Sequence, residues 1–79
     1  MDEQFGTILS IAVIPQTVSL IADRKKMTEQ KALEDFYRSK TYKYLSDEKT
    51  KLWHYSPMTI FSIWEHENMT GEVAFPEEV

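Results

Sequence analysis

The dipeptide Ser56-Pro57, inside LWHYSPMTIFSIW at 52–64, constrains this chain more than any other feature. A serine oxygen ahead of a helix accepts from an otherwise unpaired N–H of the first turn. A proline next to it loses nothing, because its missing N–H has no intrahelical partner at that position. The proline also drives the preceding serine towards the extended geometry of a cap. Beyond this corner Met58, Phe61 and Trp64 recur every third residue, with Ile60 and Ile63 widening the stripe. That is a helical period and not a strand alternation. Asn68 or Thr70-Gly71 is expected to end this helix, with Gly71 free to take a positive φ. The spacing therefore predicts a helix over 57–69.

Leu52, Trp53 and Tyr55 put three bulky groups just ahead of the corner. A large aromatic side chain buries on the order of 150–250 Å². The chain has 79 residues, which is one domain. A domain of that size buries only about 60% of its unfolded surface. Trp53, Tyr55 and Trp64 are therefore expected in the core, with their polar tips reaching the surface.

The helical stripes continue upstream. Phe5–Ala22 is the most apolar stretch, with Phe5, Ile8, Ile11, Val18 and Ile21 near helical spacing and Leu9, Ala12, Val13 and Ile14 thickening the stripe. Pro15 removes a helix hydrogen bond and clashes with the preceding turn, so a helix over about 4–22 is expected to kink or break there. Thr28 reads as the cap of a helix over 28–45, with Glu29 at the positive end of its dipole. Ala32, Leu33, Phe36 and Tyr37 form its inward stripe, and Glu34–Arg38 an i,i+4 pair. Ser39–Thr41 is its weak point. Tyr42, Tyr44 and Leu45 then resume the apolar contact. Ser46-Asp47 caps a short helix over 47–54. Past Gly71, Val73 and Phe75 alternate with Glu72 and Ala74 as an extended tail that pairs as an edge or packs back, and Pro76 stops it. These elements predict an all-α fold: a small bundle of three to four helices with a short extended C-terminal tail, in a single domain over 1–79.

Charge is segregated. The net charge of −4 divides into two acids and no base before residue 23, nine bases against six acids over 23–51, and five acids with no base from 52 onwards. The ordinary reading is two solvated faces of opposite sign; the alternative is mutual attraction within the fold or with a partner. The basic middle carries Tyr37, Tyr42 and Tyr44 between its lysines, a pattern that stacks nucleic-acid bases. Six carboxylates dilute it, and no recognition helix rich in Arg, Asn and Gln emerges. Nucleic-acid binding is the alternative reading and not the leading one. A membrane role is not expected either. The apolar stretch is near 18 residues against the roughly 20 a span needs, and Thr7, Ser10, Gln16, Thr17 and Ser19 interrupt it. Its start is acidic, unlike that of a signal peptide.

Chemistry is sparse. With no cysteine and two histidines, thiolate metal sites are excluded and the histidines fill at most half of a zinc shell. The run Glu65-His66-Glu67 splays around a helix and lacks the second histidine of a metalloprotease motif. His54 and Ser56 lie close in sequence, but Ser56 has a capping role and no oriented base accompanies it. The two glycines are isolated, so there is no phosphate loop. No enzyme activity, cofactor or metal is expected, and the lack of cysteine fits a cytoplasmic protein.

Three segments carry a resemblance: ALEDFYRS at 32–39, YLSDEKTKLWHYSP at 44–57 and VAFPEE at 73–78. From about residue 27 to 76, roughly two thirds of its length, the chain resembles small helical proteins of Gram-positive and gut bacteria. Similar proteins are often found in short toxin–antitoxin-like operons. The resemblance implies an accessory or antitoxin-like role and transfers no functional residue.

The leading expectation is a non-catalytic module that binds another protein, or itself as a homodimer. Apolar and aromatic residues exceed what so small a bundle hides, notably on Phe5–Ala22 and around Trp53. Ile11, Val18, Tyr42, Trp53 and Tyr55 are the candidate interface.

Overall fold

The computed structural model describes residues 3–75. The protein is an all-α bundle of four helices, and there is no strand among the described residues. Helix α1 spans 3–25, α2 Glu29–Tyr37, α3 Lys40–Leu45 and α4 Pro57–Thr70. Helix α1 packs against both α2 and α4, and α3 closes the other side of α4.

Pro15 neither breaks α1 nor leaves it regular. Ile8–Val13 is π-helical, and the Ile14 N–H donates to the Leu9 carbonyl five residues back. The α-helical segment Ile14–Lys25 follows at once, with the proline in its first turn. Proline has no N–H for the carbonyl four residues back, and its ring collides with that carbonyl in a regular helix. The wider turn directly ahead of Pro15 relieves both problems.

The π turn also sets which face of α1 is buried. Phe5, Leu9, Val13, Thr17 and Ile21 are all buried, at a strict spacing of four. In a regular α-helix four residues overshoot one turn by about 40°, which over this series accumulates to about 160°. A turn that takes more residues winds this drift back. One face of α1 therefore stays on the core for its whole length.

The core beneath it holds Ala32, Phe36, Leu45, Leu52 and Ile60, all essentially without solvent contact. Trp53 meets Phe5 edge-on at 5.3 Å between ring centroids, and its indole N–H donates to the Glu48 carbonyl at 3.2 Å. Phe61, Ile63 and Trp64 complete the inward face of α4. Met58, expected on that stripe, is instead 42% exposed, because a spacing of three falls about 60° short of a full turn and the series Met58, Phe61, Trp64 drifts off the buried face. Tyr37 is likewise outside, at 47% exposure, one position past the buried Phe36.

Three caps stand where the sequence puts them. Thr28 accepts from the Lys31 N–H, Ser56 accepts from the Thr59 N–H, and Gly71 closes α4 at φ 85°. Two expected helices differ. The 28–45 helix is two helices, α2 and α3, because Ser39 turns extended (ψ 156°) and caps α3 by accepting from the Tyr42 N–H. The 47–54 helix is two 3-10 turns, Glu48–Thr50 and Leu52–His54. Lys51 sits between them with a left-handed backbone at φ 64°, which no continuous helix accommodates. Arg38 makes no ion pair among the described residues, and the i,i+4 pair of α2 is Lys31–Asp35 at 3.2 Å. The tail packs back: Val73 lies against the core and the Phe75 ring meets Tyr44 edge-on at 5.1 Å. The expected stop at Pro76 lies outside the described residues.

Candidate interaction surface

Over 5–22 the outer side of α1 is polar but wholly uncharged, and Ile11 and Pro15 interrupt it. A surface helix pairs an apolar stripe with a charged or polar face. From Phe5 to Ala22 this helix carries no charge at all. Its exposed positions are Gly6, Thr7, Ser10, Ile11, Pro15, Gln16 and Ser19. Only 33% of the residues in its most apolar 18-residue window are buried. The polar groups among them are partly satisfied at home. Ser10 donates to the Gly6 carbonyl at 2.8 Å, and Ser19 donates to the Glu29 carboxylate at 3.2 Å.

Ile11, Pro15 and Ser19 stand one turn apart and form a ridge, with Ile11 71% exposed. Shallow grooves flank it. One, of about 670 Å³, runs between α1 and the start of α4 and is lined by Pro15, Gln16, Leu20, Asp23, Pro57 and Met58 among others. The other, of about 470 Å³, runs between α1 and α2 over Ile14, Val18, Leu33 and Tyr37, with Glu29 and Gln30 at its rim. Pro15 and Ser19 belong to both walls.

The five candidate residues are not gathered in one place. Ile11 is on the ridge, and Val18 is buried in the floor of the second groove. Tyr42 is half-buried, edge-on to Phe36 at 5.7 Å and 4.7 Å from the Tyr37 ring, so it backs the same groove from behind Tyr37. Trp53 is a core residue stacked on His54 at 4.0 Å, and Tyr55 is half-buried against the core. Val18 reaches a partner only through the groove floor, and Trp53, buried in the core and lining neither groove, lies away from this surface. Pro15, Leu20, Leu33, Tyr37 and Met58 belong to the surface but were not among the five. Their signal was the uncharged run of α1 itself, since any residue packed beside that run becomes its rim.

Other polar groups are committed to structure. Glu67 reaches from α4 to the start of α3, where its carboxylate accepts from the N–H groups of Lys40 and Thr41, both at 2.9 Å, and from the Thr41 hydroxyl at 2.8 Å. Partial burial pushes its pKa up, but these hydrogen bonds and the Lys40 charge outweigh burial and hold it below the ordinary 4.5. Glu65 pairs with Lys25 at 2.6 Å. Ser56 is occupied as a cap. Among the described residues no group of three or more His, Asp or Glu side chains is placed to hold a metal ion.

By length and composition alone Phe5–Lys25 is also long enough to cross a bilayer, a test that core helices of soluble proteins pass as well. No protein-family model matches the chain, and neither does any curated protein or solved structure.

Proposed function

We propose that this protein is a small non-catalytic interaction module whose working surface is the outer side of α1. One observation carries the reading: the most apolar helix of the molecule turns an uncharged face outwards, between two grooves with mainly apolar walls. The exposed Ile11 and Pro15, set between apolar groove walls, make this face a contact site. The resemblance of residues 27–76 to small bacterial proteins of toxin–antitoxin-like operons supports an accessory, antitoxin-like or regulatory role in the cytoplasm. The basic middle gives less support to nucleic-acid binding. Lys25 and Lys31 are paired with carboxylates, and Lys40 donates to the Gly71 carbonyl at 2.9 Å.

Size-exclusion chromatography with light scattering tests the reading, run on protein purified together with whatever it carries. The expected result is a species heavier than the 9.3 kDa monomer. It should collapse to the monomer in Ile11→Glu, a change at an exposed position that leaves the core intact. A strict monomer with no co-purifying protein contradicts the proposal.

A further inference from the structure

We infer that the partner seated on α1 is α1 of a second copy, paired antiparallel about a two-fold axis near Pro15. The inference rests on the interaction reading above and names its partner. The ridge Ile11–Pro15–Ser19 and the grooves beside it lie on one surface. Ridges of one helix pack into grooves of another. A surface holding both is self-complementary, which is what a two-fold interface requires.

Charge selects the direction. In the sequence two acids, Asp2 and Glu3, precede the uncharged run 5–22, and Asp23, Arg24, Lys25 and Lys26 follow it, with Lys25 already paired to Glu65. An antiparallel pair sets the Glu3 end of one helix beside the Arg24 and Lys26 end of the other, and opposes their dipoles favourably. A parallel pair would stack like on like. Helix α1 is about 34 Å long at 1.5 Å per residue. A bilayer explains the uncharged face less well. Phe5, Leu9, Val13 and Ile21 on the opposite side of α1 are held in the core, and only one end of the helix is basic.

An axis near Pro15 sets Ile11 of one copy against Ser19 of the other. Within one chain these two residues stand about 12 Å apart along the helix, beyond disulfide reach. The chain has no cysteine of its own, so the register is directly testable. Sedimentation velocity on the full chain, from low micromolar to high concentration, should show the mass doubling. Ile11→Glu should weaken the association by about tenfold or more with unchanged circular dichroism. Under mild oxidation the Ile11→Cys/Ser19→Cys variant should form a covalent dimer, and Ile11→Cys alone should not.

A wild-type monomer at every concentration overturns the second copy as partner; whether some other protein binds is decided separately by the co-purification experiment. A dimer that persists in Ile11→Glu moves the seam away from α1 and overturns the inference. Cross-linking through Ile11→Cys alone overturns the antiparallel register. A monomer that binds phosphatidylcholine–phosphatidylglycerol vesicles, and loses them in Ile11→Glu, assigns the face to lipid and overturns it too.

Discussion

Thr17 and Thr41 are both fully buried, and they differ in one respect. The Thr41 hydroxyl donates to Glu67 at 2.8 Å, whereas the Thr17 Oγ1 has no partner among the described residues. A buried hydroxyl without a partner costs about 1–3 kcal/mol relative to a satisfied one. The same substitution should therefore act with opposite sign at the two sites. Thr17→Val removes an unpaired group and should raise stability by about 1 kcal/mol. Thr41→Val strands one acceptor site of a carboxylate and should lower it by about 1–2 kcal/mol. Urea unfolding followed by circular dichroism reads both, and a loss of stability in Thr17→Val would refute the contrast.

At the scale of the element, α3 is the instructive case. It has six residues, far too few to be stable alone. Its first three N–H groups are nevertheless all satisfied: Lys40 and Thr41 donate to Glu67, and Tyr42 donates to Ser39. Glu67 thus works as an N-cap supplied by another helix, with its negative charge at the favourable end of the dipole. Glu67→Ala should cost about 2–3 kcal/mol, since hydrogen bonds to a charged group exceed neutral ones. The carboxyl is held below its ordinary value of 4.5. Its contribution is therefore full above about pH 4.5 and is lost as pH falls through the lower folded value. Acid titration of stability below pH 4.5 should be shallower in Glu67→Ala than in wild type, and equal slopes would contradict this role.

The same helix shows what the sequence reading reached. Local signals were enough for the caps Thr28, Ser56 and Gly71, because each closes its bonds within a few residues. Ser39–Thr41 showed as a weak point, yet the break there is stabilised by Glu67, 26 and 27 residues away in the chain. A contact that distant leaves no local signal. In α1 the effect of a proline was visible, but the π turn that absorbs it was not. The outer side of α1 was hidden for a related reason. With apolar residues on every side of the helix, periodicity does not say which turn outwards until α2 and α4 cover the others.

The whole molecule joins these parts around α1. Its inner face is fixed in the bundle at a spacing of four, and its outer face is uncharged and flanked by two grooves. The self-pairing of that face is most directly tested by amide ¹H–¹⁵N spectra of the wild-type chain recorded along a dilution series. Ile11, Ser19, Leu20, Leu33 and Met58 should shift progressively with concentration, while Phe36 and Ile60 in the core hold still. Spectra that superimpose at every concentration, or shifts confined to residues away from α1, would contradict it.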